Sequence, residues 1–167
     1  MKQDSLGCGS VRALALSDSH GDNKAIQKAL DLFGDVEYIF HLGDYASDAE
    51  YISEHSRAKV LSVRGNCDFL SEDPYFEEVV IRGQRIVLTH GHRLGAKYST
   101  DRLLYYAQAH EANAILFGHT HVPYCEYADG IWLVNPGSVA EPRGERPSAA
   151  RLLIGEYGVV PKIVFLD

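Results

Sequence analysis

The chain has 167 residues and a formal net charge of −7, with 46% hydrophobic and 23% charged residues. That composition suits a globular fold with a sizeable core, and its acidic balance argues against stable binding of nucleic acid or an anionic membrane, which reward clustered Lys and Arg. No apolar run approaches the roughly 20 residues that cross a bilayer, and residues 1–10 lack the apolar segment of a secretory signal, so one domain over 1–167 is expected, with 1–10 as an extension.

In chain order, the apolar run 11–17 predicts a buried strand. Asp22 is placed to cap a helix ending at Phe33, with Ile26, Ala29, Leu30 and Phe33 at helical spacing and Gly34 beyond it. Residues 38–42 predict a second strand, 47–55 a second helix and 59–63 a third strand. This alternation predicts a parallel sheet covered by helices. After Asp73 the pattern changes. Residues 76–81 and 85–89 flank Arg82-Gly83-Gln84 and predict a hairpin. A helix is expected over 103–112, entered through Ser99, Thr100 or Asp101, and a short strand over 114–117. Strand signals then dominate, at 124–127, 131–134, 150–156 and 159–165, the last two joined through Tyr157-Gly158. Segment 135–148, rich in Pro, Gly and charge, predicts a loop. The whole predicts an α/β fold of two sheets packed face to face with helices outside. Three cysteines, Cys8, Cys67 and Cys125, show no CxxC spacing and read as reduced thiols of a cytoplasmic protein.

Five short polar segments each follow an apolar strand-like run: Asp18-Ser19-His20, Gly43-Asp44, Gly65-Asn66-Cys67-Asp68, His90-Gly91-His92 and Gly118-His119-Thr120-His121. They recur about once per strand–helix unit, and in open α/β sheets ligands bind beyond the carboxyl ends of the strands. Taken singly, a Gly-Asp or Gly-His pair is an ordinary turn. Five such segments at five strand ends point to one pocket. Asp18 and Asp44 offer carboxylate oxygen, Asn66 a carbonyl, and His20, His90, His119 and His121 imidazole nitrogen. This thiolate-free set suits Mn, Fe, Zn, Ni or Co better than Ca or an iron–sulfur cluster. Two metals about 3.5–4 Å apart need a bridging carboxylate, for which the central Asp44 is placed.

The order D-x-H, G-D, G-N-x-D, H, G-H-x-H resembles the calcineurin-like metallophosphoesterase superfamily. The G-N-C-D variant, the T-H-G-H segment and the later Asn135-Pro136-Gly137-Ser138 resemble its small prokaryotic phosphodiesterases. The resemblance runs from about Arg12 to the C-terminus. It implies a four-layer α-β-β-α sandwich, with Asp18, His20 and His121 on one metal, Asn66, His90 and His119 on the other, and Asp44 bridging. It implies hydrolysis of a small phosphodiester by a metal-bridging hydroxide, with manganese the first choice of metal and Ni, Fe, Zn, Co or Mg as alternatives. Many relatives have His where Cys67 stands, serving as an acid for the leaving group. A thiol is a poor substitute there, so alkyl monoesters are expected to be poor substrates and His92 is the other candidate acid. Asp68 is expected to orient a neighbour. The same fold serves as a scaffold in a retromer subunit with a degraded metal site, and a non-hydrolysing metal or nucleotide sensor is a further alternative. Here every ligand position is filled.

His41, His55 and His110 read as strand or surface residues, and Arg143 and Arg146 as part of a solvated loop. Substrate choice is expected to lie in loops 70–74, 93–100 and 139–147, which show no dominant basic or aromatic patch. A symmetric homodimer is the usual prior for assembly.

Overall fold

In the computed structural model, residues 9–143 and 146–166 are described; Cys8 and most of the expected extension lie outside them. The chain runs β1 (Val11–Leu16), α1 (Asn23–Phe33), β2 (Tyr38–His41), α2 (Asp48–His55), β3 (Lys59–Ser62), β4 (Phe76–Ile81), β5 (Gln84–Thr89), α3 (Asp101–Ala109), β6 (Ala114–Leu116), β7 (Tyr124–Ala128), β8 (Ile131–Asn135), β9 (Ser148–Gly155) and β10 (Gly158–Phe165), with a single 3-10 turn at His92–Leu94. Two five-stranded sheets form, ordered β10-β9-β1-β2-β3 and β4-β5-β6-β8-β7. Within them β1, β2 and β3 are mutually parallel, as are β5, β6 and β8.

The alternation of side chains along a strand explains the layering. Ala13 and Ala15 of β1 face inward with Phe40 and Leu42. They meet Ile86, Leu88, Leu116 and Val134 of the second sheet. Leu14 and Leu16 face outward and pack with Ile39 against Ile26, Ala29 and Leu30 of α1 and Ile52 of α2. On the far side, Val87, Ile115 and Leu133 receive Leu103 and Ala107 of α3. Both faces of the central strands are therefore dry, which is why they read as continuous apolar runs. Each large side chain so buried contributes about 1.5–3 kcal/mol. The result is the four-layer α-β-β-α sandwich.

Local signals explain the boundaries. Asp22 Oδ1 accepts from the Ala25 N–H at 3.0 Å and caps α1, and Gly34 ends it with φ 62°. The β4–β5 hairpin turns through Arg82 (φ 54°) and Gly83 (φ 81°), two left-handed residues of the kind a two-residue hairpin needs. Gln84 already pairs with Ile81 and belongs to β5. Helix α3 stops at Ala109, three residues short of the expected end, because Glu111 turns left-handed at φ 54°. Strand β9 starts two residues early at Ser148, which pairs with Phe165. The last hairpin turns at Glu156 and Tyr157, so Gly158 is a strand residue paired with Gly155.

Candidate metal centre

The segments following β1, β2, β3, β5 and β6 meet at one edge of the sandwich. Ligand atoms of Asp18, His20, Asp44 and His121 all lie within 4.8 Å of one another. His90 Nε2 lies 3.1 Å from Asn66 Oδ1, 3.4 Å from Asp44 Oδ1 and 3.9 Å from Asp18 Oδ1. The His119 ring is 5.0 Å from the His90 ring, edge-on. The structure thus brings together all seven side chains singled out as ligands. Asp18, Asp44, His90 and His121 are buried, His20 and His119 partly buried, and Asn66 exposed.

The proton inventory makes this geometry informative. His90 Nδ1 lies 2.7 Å from the Leu42 carbonyl, and His121 Nδ1 is 2.6 Å from that of Glu141. A carbonyl only accepts, so both Nδ1 atoms carry the proton. In the neutral ring both Nε2 atoms are then lone pairs. His90 Nε2 faces the oxygens of Asn66, Asp44 and Asp18, and His121 Nε2 faces Asp18 Oδ1 at 3.0 Å. Acceptors facing acceptors repel unless positive charge stands between them. Asp18 Oδ1 and His20 Nε2 are also buried with no hydrogen-bond partner. A donor set of carboxylate oxygen and imidazole nitrogen, with Nδ1 anchored and Nε2 free, fits divalent cations.

Without a cation, protons relieve the conflict. Burial opposes a charged His90, but the Asp44 contact and the charges of Asp18 and Asp44 hold it above the ordinary imidazole range. For His121 the Asp18 contact outweighs burial to the same effect. These contacts, against the carboxylates' own burial, hold Asp18 and Asp44 below the usual carboxylate range. Burial and then His90 push His119 down to about 4, so it is neutral with a free lone pair at pH 7.

The loops are held under backbone strain. Asp18 (φ 54°), His20 (φ 47°), Asp44 (φ 55°), His119 (φ 71°) and His121 (φ 60°) are all left-handed. Each such non-glycine residue costs about 1 kcal/mol or more, and hydrogen bonds hold the strain in place. Ser17 Oγ donates to Asp18 Oδ2 at 2.6 Å, and Ser138 Oγ donates to the Asp18 carbonyl at 2.9 Å. Asn135 Nδ2 donates to the Gly118 carbonyl and Thr120 Oγ1, both at 3.0 Å. The Asn135-Pro136-Gly137-Ser138 segment therefore clamps the loops of Asp18 and His119. Gly118 permits the approach. A Cβ there would overlap Ser17 Oγ and come within 2.9 Å of Asp18 Oδ2. Gly118→Ala is expected to cost about 2 kcal/mol in a denaturant titration and to lower the metal bound per chain. Unchanged metal content would mean the loops have slack that this packing does not suggest.

Asp68 accepts from three backbone amides: Gly65 at 2.7 Å, Asp44 at 2.9 Å and Ala46 at 2.8 Å. It positions the two loops rather than touching the centre. Cys67 is exposed, with Sγ 3.7 Å from Asn66 Nδ2 and its N–H donating to Asp44 Oδ1 at 3.0 Å. Partial burial and then Asp44 hold its thiol above the ordinary value. His92 is half-buried, its ring 5.5 Å from His90 and 6.1 Å from His119. His55 stacks on Tyr51, and His110 stacks on Tyr106 and pairs with Glu78, both away from the cluster. Arg146 lies over Phe165.

His41 is a strand residue, but it is fully buried behind the centre. Its Nδ1 faces the Gly43 N–H at 3.3 Å and its Nε2 lies 2.7 Å from Ser19 Oγ, which donates to Asp48 Oδ2 at 2.7 Å. An Nε2–H tautomer satisfies all three groups and ties the loops after β1 and β2 to α2. Burial holds His41 below its ordinary value, against Asp48. Ser19, Asp48 and Ser138 give no sequence signal of this role. The specificity loops also hold more than their composition suggests: Arg93 of segment 93–100 gathers with Arg64 over Tyr75, the partners lying just outside the expected windows.

Residues 11–156 match the calcineurin-like phosphoesterase superfamily domain. The phosphodiesterase YfcE of Escherichia coli is 30% identical over 168 residues, covering 86% of this chain and 87% of that protein. A predicted phosphoesterase from Streptococcus pneumoniae superposes with a TM-score of 0.82 at 30% identity, over 96% of this chain and 92% of that one. Vps29 from Entamoeba histolytica complexed with zinc superposes with a TM-score of 0.73 at 19% identity, over 93% and 99% of the two chains, a likeness of fold.

Proposed function

The chain belongs to the calcineurin-like phosphoesterase superfamily, and from that premise we propose that it is a phosphodiesterase acting through two divalent cations on a small diester. The observation that carries the proposal is the gathering of imidazole nitrogens around one buried carboxylate, with Asp18 Oδ1 and His20 Nε2 buried and lacking a hydrogen-bond partner. His90 Nε2 meets Asp44 Oδ1 at 3.4 Å, and His20 Nε2 lies 4.0 Å from Asp44 Oδ2. One carboxylate thus looks toward two imidazole groups. Asp18, His20 and His121 would hold one cation, Asn66, His90 and His119 the other, and Asp44 both. When bound, such cations lower the pKa of the attacking water and neutralise charge developing on the phosphoryl oxygens.

The chain's own residues do the rest. The Leu42 and Glu141 carbonyls fix the His90 and His121 rings by holding their Nδ1 protons. Asn66, exposed at the rim, offers an amide to an incoming phosphate. Next to Asn66, Cys67 opens onto a groove lined by Tyr45, Phe69 and Leu70 together with the carboxylates of Glu50, Asp73 and Glu77, a lining that suits an uncharged leaving group better than an anionic one. The raised Cys67 thiol keeps its proton at neutral pH but is too weak an acid to assist an alkoxide. Diesters with good leaving groups are therefore the fitting substrates. Cys67→His is expected to raise alkyl phosphate monoester turnover at least about tenfold; no gain would shift the acid role to His92.

Manganese is the first cation to try, and the mixed oxygen and nitrogen donors suit Fe, Zn, Ni and Co as well. Cys67 and Cys125 are free thiols, which suits a reducing cytoplasm, and no helix among the described residues is long and apolar enough to cross a membrane. The test is to strip the protein with chelator, restore Mn, Ni, Mg, Zn or Fe singly, and assay a chromogenic diester beside its monoester. Metal-restored turnover favouring the diester is expected. Two metals bound per chain without turnover would instead favour a scaffold or sensor role. Metal binding alone does not decide this, since the Vps29 relative also binds zinc.

A further inference from the structure

Beside the His90 end of the centre stands a cluster whose arginines and tyrosine the steps above do not use. The Arg64 and Arg93 guanidinium carbons lie over the Tyr75 ring, 4.6 and 4.2 Å from its centroid. That ring is 5.7 Å from the His92 ring, which in turn is 5.5 Å from His90 and 6.1 Å from His119. Two different loops deliver the cations. Arg64 lies between β3 and Asn66, its N–H donating to the Pro74 carbonyl at 2.9 Å. Arg93 follows His92 in the single turn after β5.

The arrangement is electrostatically incomplete. Among the described residues neither guanidinium has a carboxylate within 4.0 Å, since the arginine ion pairs are those of Arg12 and Arg85. Arg64 Nε is buried without an acceptor, and His92 Nδ1 is buried without a partner. Two like charges sharing one ring repel. The π-face offsets part of that repulsion but supplies no acceptor for the N–H groups. On a chain of net charge −7, two guanidiniums thus share one ring beside the centre.

We propose that Arg64, Arg93 and Tyr75, with His92, form a subsite for a second phosphate of the substrate, one carried on its alcohol portion and not cleaved. The proposal rests on the phosphoesterase reading above and names its substrate class: a diester bearing a further phosphomonoester. A phosphate fits better than a carboxylate because its dianion neutralises both guanidiniums and its terminal oxygens accept from both forks at once. Tyr75 holds the two forks by stacking. The His92 ring stands between Tyr75 and the His90 and His119 rings.

The test compares thymidine 5′-(p-nitrophenyl) phosphate with and without a 3′-phosphate, on the full manganese-loaded chain. The 3′-phosphate is expected to raise kcat/KM about tenfold, mainly through KM. That ratio is expected to shrink as salt rises and to fall to about one in Arg93→Ala and in Arg64→Ala. Calorimetry of thymidine 3′,5′-bisphosphate against thymidine 5′-monophosphate reads the same preference without turnover. Arg93 is exposed, so its variant keeps the test usable should Arg64→Ala fail to fold. Equal kcat/KM for the two substrates, or a ratio that survives the Arg93 substitution, would overturn the subsite and leave the phosphoesterase reading standing. Absence of all turnover would overturn that reading instead, and the calorimetric ratio alone would then decide the subsite.

Discussion

Asp44→Ala is expected to lower metal-dependent hydrolysis of a chromogenic diester at least about a thousandfold, the scale of losing one electrostatic partner of a transition state or more. The reason lies in the position of this one carboxylate. Its Oδ1 faces His90 at 3.4 Å and accepts from the Cys67 N–H, while its Oδ2 faces His20. Removing it deletes a donor to both of the proposed cation positions and leaves the neighbouring imidazoles without the charge that balances them. Metal content, measured by elemental analysis, is expected to fall with activity. Full metal occupancy and full turnover in the variant would remove Asp44 from the mechanism.

Asp68→Asn tests how the site is positioned, from outside the ligand set. The substitution keeps the shape of the side chain but replaces one acceptor oxygen with an N–H₂ facing backbone N–H groups. The native carboxylate satisfies Gly65, Asp44 and Ala46 together, so at least one buried amide loses its acceptor. The expected loss is about 2 kcal/mol for asparagine and about 3 kcal/mol for alanine in denaturant unfolding. Activity is expected to fall further than stability alone explains, because the same amides set the register of Asp44 and Asn66. An Asp68→Asn protein with native stability and native activity would show the loops to be held elsewhere.

Much of this was legible in the chain because each centre residue directly follows an apolar run. Strands buried on both faces advertise themselves, and the residues after Leu16, Ser62, Thr89 and Leu116 inherit their address from them. The α1 cap was legible for the same local reason, in Asp22 and Gly34. The Ser19–His41–Asp48 network was not. Its members come from the loop after β1, the end of β2 and the start of α2, and none alone signals that it bonds the other two. Only packing shows that His41 is fully buried and bonded. Arg64, Tyr75 and Arg93 were hidden likewise, since separate loops bring them onto one ring. Turn registers such as Glu156-Tyr157 depended on pairing across strands, which composition does not encode.

Five of the centre's seven side chains sit on left-handed backbone. Among residues other than glycine, that torsion is entered several-fold more readily by Asn, Asp and His than by most others, and least by β-branched or bulky ones. The loops therefore filter the donor vocabulary before any ion arrives. Aspartate and histidine meet both the torsional and the chemical demand, whereas glutamate and cysteine lack that torsional preference. Drift toward thiolate or glutamate ligation would need the loops rebuilt, so evolution or design can more readily retune which ion is held through the surrounding groups than through the donors themselves.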